Sequence, residues 1–501
     1  MKHTFRALAV AGAISLAALG AATPALAQDA VIRVGQTTDL TSFDPTELRI
    51  GSYVSTFLLY NSLLRIGSDG QAKPELATDW SWSEDGRQLT VKLREDVRFH
   101  DGRPMTSADV AFSFQYAKTP EVGANVLPLA RLIESIETPD DHTVLFTVTG
   151  SQEAIIDLLD LIFVIDATQP DSIKTAGNGT GPYRLDGHEP GQSTRFARNA
   201  DYWGEAPEAE RIEIRIVPDA QSAVAQLKSG AIDFLPVASR EAIDQVAGDS
   251  KLRAGIAAPE GRVLDMLINV KAGAMATPEL RQAINLALDR SRIAADVIGE
   301  GAVLKCLPWT ERATAQLANY EQACRYDLEA ARKLVEEAGL SGTNIELLSF
   351  AQAVPELGGM AQIVQYSLSQ IGLNANIVDL SEAAVTQRYR AGEFELEAHT
   401  YARGGRSPET LLLTAVPFRP IDNPSGFDSE QYAADVATVT GVRTSEDNSA
   451  AAWTRINDFL LSEAWILPVA SLPIRWVSSN RIDNVTFNLD GMPILATATF
   501  E

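Results

Sequence analysis

Between residues 212 and 380 the sequence alternates strand-like and helix-like periods, and this alternation restricts the possible folds more than any other feature. Ile212, Ile214 and Ile216 fall on one face of a strand, Ala220 to Gly230 reads as a helix, and Ile232 to Leu235 reads as the next strand. Strand, helix and strand in that order form an α/β crossover unit. Further on, Thr277-Pro278 opens a helix with proline at its first position, and Leu280, Ala283, Ile284, Ala287 and Leu288 recur at helical spacing. Asp327 is placed to cap another helix, which carries Leu334, Val335 and Ala338 and ends at Gly339. A third carries Met360, Ile363, Val364, Leu368 and Ile371 and stops at Gly372, flanked by strands Asn344–Phe350 and Asn374–Leu380. These elements predict an α/β lobe running from roughly 270 to 480.

The earlier sequence predicts a different mixture. Val31–Gly35 is a strand, Thr38 to Pro45 a polar turn, and 51–66 an apolar-faced helix. Residues 70–150 read as short strands around one helix. Leu89, Val91 and Leu93 alternate, Thr106 and Asp109 form an acidic capping box ahead of Val110 and Phe114, and Thr143–Thr149 is another strand. Leu264 to Val270 is a further strand. The glycine-rich turn Gly177 to Gly181 lacks the Gly-Lys-Ser/Thr ending of a phosphate loop and reads as a structural turn.

A chain of 501 residues exceeds one ordinary core, so two or three domains are expected. The first residues predict a secretory leader. Lys2 and Arg6 precede the apolar stretch Ala7–Ala22, and Ala25-Leu26-Ala27 offers a small-x-small cleavage site before Gln28. That stretch is short for a bilayer span, and no Cys stands at the cut to take a lipid anchor, so a protein free in a periplasm is expected. Without Lys2 and Arg6 the net charge moves from −24 to −26, which argues against nucleic acid as a partner. Cys306 and Cys324 are expected to form a disulfide in an oxidising compartment. The histidines His3, His100, His142, His188 and His399 show no metal-ligand spacing. No cofactor or metal is expected.

An ordered set of motifs carries a resemblance. It begins with Pro74-Glu75-Leu76-Ala77-x-x-Trp80, Asp85-Gly86, Val97-x-Phe99-His100-Asp101-Gly102 and Thr106-x-x-Asp109-Val110-x-Phe112-Ser113-Phe114. It continues through Gly179-Thr180-Gly181-Pro182-Tyr183, Asn199-x-x-Tyr202-Trp203, Leu227-x-x-Gly230-x-Ile232-Asp233, Arg281-Gln282-Ala283-Ile284 and Tyr326-Asp327. This order resembles the extracytoplasmic solute-binding proteins of family 5, the binding components of oligopeptide, dipeptide and nickel ABC importers. The resemblance implies a two-lobed α/β periplasmic binding protein (type II, cluster C) with an extra small domain inserted in lobe one. It implies lobe one at 28–70, 180–265 and 482–501, the inserted domain at 71–179, and lobe two at 266–481. The chain crosses between lobes near Arg262–Val270 and Val477–Ile482. It further implies a monomer that traps a small solute between its lobes and presents it to a membrane permease. His100 and Asp101 then read as turn and packing residues.

The resemblance also places the ligand. The segment after the first strand offers Thr38, Thr41 and Phe43, with Ser52 and Tyr53 just beyond. In lobe two, peptide-binding members typically carry Trp-x-x-Asp-Tyr-x-Asp-Pro, whose first Asp pairs with the peptide amine. Here the segment is Tyr401-Ala402-Arg403-Gly404-Gly405-Arg406-Ser407-Pro408, so Gly404 stands for that Asp. Ala351–Gly359 also lacks the Arg that dipeptide binders use for the ligand's carboxylate. Two arginines in place of carboxylates invert the local charge and favour an anionic ligand. The expected contacts are Thr38, Thr41, Phe43, Tyr53, Tyr401, Arg403, Gly404 and Arg406, and the expected solute is an acidic, opine-like conjugate. Oligopeptides and metal chelates are the alternatives. A secreted hydrolase is the remaining rival, but no Gly-x-Ser-x-Gly or His-Glu-x-x-His occurs, and no enzymatic activity is expected.

Overall fold

The computed structural model describes residues 30–47, 51–310, 324–443 and 448–501. The expected leader lies outside them. A ten-stranded mixed sheet runs through both lobes, in the order 374–379, 344–349, 396–402, 252–268, 466–479, 234–235, 31–36, 211–216, 193–198, 183–189. At one end Val31–Gln36 pairs in parallel with Arg211–Ile216, and helix Ala220–Ser229 packs there as the crossover, closed by left-handed Gly230. At the other end Asn344–Ser349 pairs in parallel with both Asn374–Asp379 and Leu396–Ala402. Helices Pro278–Ala287, Leu328–Glu337 and Pro355–Gln370 bury Leu280, Ile284, Val335, Met360 and Val364 on one face of this end. The opposite face packs Trp309, Phe418, Tyr432, Trp453 and Trp465.

Two strands join the ends. Leu252–Ile268 and Ile466–Ser479 are hydrogen-bonded antiparallel along most of their length, and the register slips between Ile256 and Ala258, between Ala258 and Arg262, and between Leu264 and Asp265. The sequence reading finds only the last part of the first strand. Residues 254–261 are Ala-Gly-Ile-Ala-Ala-Pro-Glu-Gly, with neither alternation nor β-branched bulk to mark them. Two of the three register slips lie upstream of the crossing expected at Arg262–Val270.

A separate four-stranded antiparallel sheet forms from Ala77–Trp82, Gln88–Leu93, Thr143–Val148 and Ile133–Asp140. Helix Ser107–Ala117 covers it, and the capping box is present, with Thr106 N donating to Asp109 Oδ2 at 2.9 Å. The helix expected over 51–66 is shorter than its apolar face implies. It spans Tyr53–Leu59, and after extended Tyr60 the chain enters the strand Leu64–Ile66, which pairs with Ala72–Pro74. Strand pairing overrides the helical periodicity there.

The Gly177–Gly181 turn is structural. A Cβ on Gly179 would stand 2.0 Å from the Leu59 carbonyl oxygen, so only glycine permits this approach. His100 ties the same turn, reaching the Gly181 and Gly177 carbonyls at 3.1 and 3.3 Å. Burial holds its pKa down at about 4, which keeps the ring neutral. Cys306 and Cys324 are disulfide-bonded, with Cα atoms 5.5 Å apart.

Candidate functional site

The site is built where Leu252–Ile268 and Leu396–Ala402 run antiparallel, with Val263 opposite Tyr401 and Arg262 opposite Ala402. Strand alternation sends Glu397, His399 and Tyr401 to one face. Tyr401 is therefore buried, edge-on to Phe418 with ring centroids 5.3 Å apart, and its hydroxyl donates to the Pro308 carbonyl at 3.2 Å. The aromatic expected to wall the ligand belongs to the lobe-two core.

Past the strand the chain turns sharply. Arg403 has φ 67°, a left-handed conformation that costs a non-glycine residue about 1 kcal/mol. Its N–H donates to the Gly261 carbonyl at 3.1 Å, and its carbonyl accepts from Arg406 N at 3.0 Å. A Cβ on Gly404 would meet the Glu260 carbonyl oxygen at 2.8 Å and Val263 Cγ2 at 2.9 Å. The turn has no room for the aspartate that peptide-binding members carry at this position.

Arg406 is engaged elsewhere than at a ligand. Its side chain has no solvent exposure. Nη2 donates to Asp160 Oδ2 at 2.6 Å and to Asp490, Nη1 to Asp157 Oδ1 at 3.3 Å, and Nε to both Asp490 oxygens at 3.2 Å. Asp157 also accepts from Ser407 N at 3.1 Å, Ser407 Oγ at 2.8 Å and Thr410 Oγ1 at 2.7 Å. Asp157 and Asp160 lie on helix Gln152–Leu161, and Asp490 lies between the short strands 486–487 and 493–494. This cluster binds the lobe-two loop to the inserted domain and to the C-terminal segment. Burial raises the Asp160 pKa, with Arg406 and Arg65 opposing. At Asp490 burial also acts upward, but Arg406 outweighs it and holds the carboxyl below its ordinary range.

By its side chain Arg403 makes no direct contact with this cluster, although its charge helps to lower the Asp490 pKa. Its side chain is partly buried and makes no hydrogen bond or ion pair among the described residues. Arg262, which sequence reading does not single out, is also partly buried and equally unpartnered. The charges of both act on the Tyr53 hydroxyl, which burial pushes above its ordinary pKa while Arg403, first among the charges, pulls it back. Tyr53 begins helix Tyr53–Leu59 of lobe one, so the Arg403 charge is felt across to lobe one. The nearby carboxylates are taken. Glu260 accepts from buried Lys305 at 2.7 Å, and Asp490 is held by Arg406.

The remaining candidates divide. Thr38 and Thr41 are exposed, and Thr38 offers its carbonyl to Gln36 Nε2 at 3.0 Å. Phe43 is buried in the lobe-one core, edge-on to His188, with its carbonyl accepting from Tyr60 Oη at 3.1 Å. Among the described residues no group of three His, Cys, Asp or Glu is arranged to hold a metal ion, and no helix is long and apolar enough to cross a membrane.

The fold is a two-lobed α/β arrangement with a separate four-stranded sheet. The chain belongs to the bacterial extracellular solute-binding proteins, family 5 Middle, which it matches over residues 71–416. It is a binding protein and not an enzyme. A probable peptide ABC transporter periplasmic-binding protein of Sinorhizobium fredii is 26% identical over 396 residues, covering 74% of each chain. Among solved structures, NikZ from Campylobacter jejuni in complex with Ni(L-His) superposes with TM-score 0.81 at 18% identity, covering 94% of this chain and 99% of that one. AgaA from Agrobacterium tumefaciens R10 in complex with agropinic acid gives 0.79 at 20% identity, with coverage of 94% and 99%.

Proposed function

We propose that this chain is the periplasmic solute-binding component of an ABC importer, and that its solute is anionic. The leader is removed before Gln28, and the mature protein captures the solute between lobes and presents it to a membrane permease. Lobe two takes up most of 266–481, and the inserted domain 71–179. The relatives named for peptide ABC transport support the importer role.

One observation carries the ligand class. Arg403 projects from a strained turn into a partly buried setting where its charge acts on Tyr53, and among the described residues no carboxylate pairs with it. An arginine so placed is suited to a carboxylate or phosphate group. The absence of an acid at Gly404 removes the usual partner for a peptide amine. A solute that touches Tyr53 and Arg403 together bridges the lobes and favours their closed arrangement by its differential affinity.

Thermal unfolding of the mature protein with di- to pentapeptides, opines, sugar acids and metal chelates tests this reading. A solute at 100 times its Kd adds about 2.7 kcal/mol. Stabilisation by acidic non-peptide solutes, lost in Arg403→Gln, is the expected result. Stabilisation by ordinary peptides alone, unchanged in that variant, overturns it.

A further inference from the structure

We infer that the site takes a solute carrying two negative charges, one met by Arg403 and the other by Arg262. This deepens the anionic reading and rests on it. The two arginines are brought together by strand register. Arg262 is the Cα partner of Ala402, Arg403 follows Ala402, and Arg403 N bonds the carbonyl of Gly261, the residue before Arg262. Both side chains are partly buried, and both charges act on the same Tyr53 hydroxyl, Arg403 from lobe two and Arg262 from the strand that joins the lobes.

Each guanidinium carries five N–H donors and no acceptor. Among the described residues neither makes a hydrogen bond, an ion pair or a contact over an aromatic ring, and the Tyr53 hydroxyl has no partner either. The carboxylates that could serve them are committed, Glu260 to Lys305 and Asp490 to Arg406. Two like charges at a partly desolvated site repel, and a monoanion would leave one of them unneutralised. A dianion answers both. At longer range the surplus of carboxylate around Arg406, three acids to one arginine with Arg65 beyond at 3.7 Å from Asp160, offsets the pair. That surplus explains how the empty protein tolerates two free arginines.

Isothermal titration of the mature protein with three probes tests the inference. The probes are glutarate, a dicarboxylate; glutaramate, its monoamide, similar in shape with one charge fewer; and glycerol 3-phosphate, with two charges on one group. A dianion is expected to bind about 10- to 100-fold more tightly than the monoamide, the worth of one charge-assisted hydrogen-bonding partner. Which dianion binds better separates two carboxylates from one phosphate. Arg262→Gln should bring the affinity for the dianions down to that for the monoamide, whereas Arg403→Gln should weaken all three. Because Arg262 has no partner to lose, its variant should unfold at the wild-type temperature. Equal affinity for dianion and monoamide, or an undiminished ratio in Arg262→Gln, overturns the two-charge inference while leaving the anionic reading standing. No binding of any of the three removes both.

Discussion

Arg406→Met offers a sharp test of the electrostatics, because it keeps most of the side chain's volume and removes only the charge and its donors. Asp157, Asp160 and Asp490 would then lie together around a neutral thioether. Arg65 could relieve Asp160, but its nearer partner is Glu75 at 2.8 Å. Removing one member of a buried ion pair costs about 3–5 kcal/mol, because the remaining charge is left uncompensated. In a cooperative unit of some 250 residues this corresponds to a fall in Tm of roughly 6–10 °C. The pH dependence identifies the cause. In the wild type the Asp490 pKa is depressed, so its contribution is present above the unfolded pKa and is lost as pH falls through the folded one. In the variant the main cation opposing burial is gone, leaving only the weaker pull of Arg65 and Arg403, so the folded pKa values of Asp160 and Asp490 rise and stability declines as pH rises. The gap between wild type and variant should therefore be wide at pH 7.5 and narrow toward pH 5. Thermal unfolding followed by tryptophan fluorescence at both pH values measures it. A loss below about 1 kcal/mol, or a gap that does not change with pH, would refute the account of Arg406 as a buried counter-charge.

Glu397 should impose a stability cost at alkaline pH. It is buried with one oxygen unpartnered, and burial lifts its pKa to about 7, so folding retains a proton that the unfolded chain releases. Stability contributed there falls as pH rises from about 4.5 through 7, and Glu397→Gln should recover up to about 3 kcal/mol at pH 8 with little change at pH 5, read as Tm. Gly404→Asp should fail to create amine binding and should cost about 1–3 kcal/mol, because its Cβ meets the Glu260 carbonyl; calorimetry with a dipeptide and urea unfolding check the two halves. Cys306→Ser with Cys324→Ser should lower stability by up to roughly 3 kcal/mol, comparable with the effect of reductant on the wild type.

Local signals were readable and long-range ones were not. The helices ending at Gly230, Gly339 and Gly372 and the strands at 211–216 and 344–349 follow from periodicity and caps that lie within a few residues. Tyr401 could have been placed in the core, since Glu397, His399 and Tyr401 alternate on one strand face. Arg406 could not have been resolved by reading its neighbours. Glu393, Glu395 and Glu409 are near in sequence, but the carboxylates that hold it are Asp157, Asp160 and Asp490, on other elements. Arg262 was hidden for the same reason. Its significance comes from facing Ala402 across a strand pair, and no local pattern encodes that pairing.

Among the described residues the two strands 252–268 and 466–479 run between the two ends of the long sheet, and they are laced to each other by hydrogen bonds. A laced ribbon resists stretching and sliding but yields where its rungs are interrupted, and here the two interruptions that add residues to the first strand fall between Ile256 and Arg262. On the proposed trap mechanism, flexing and twisting would concentrate there, immediately beside the arginines proposed to meet the solute. Such a joint acts as a short lever. A small displacement of Arg262 or Arg403 is magnified at the far rims of the lobes, the surfaces on which a permease would read whether the trap is full.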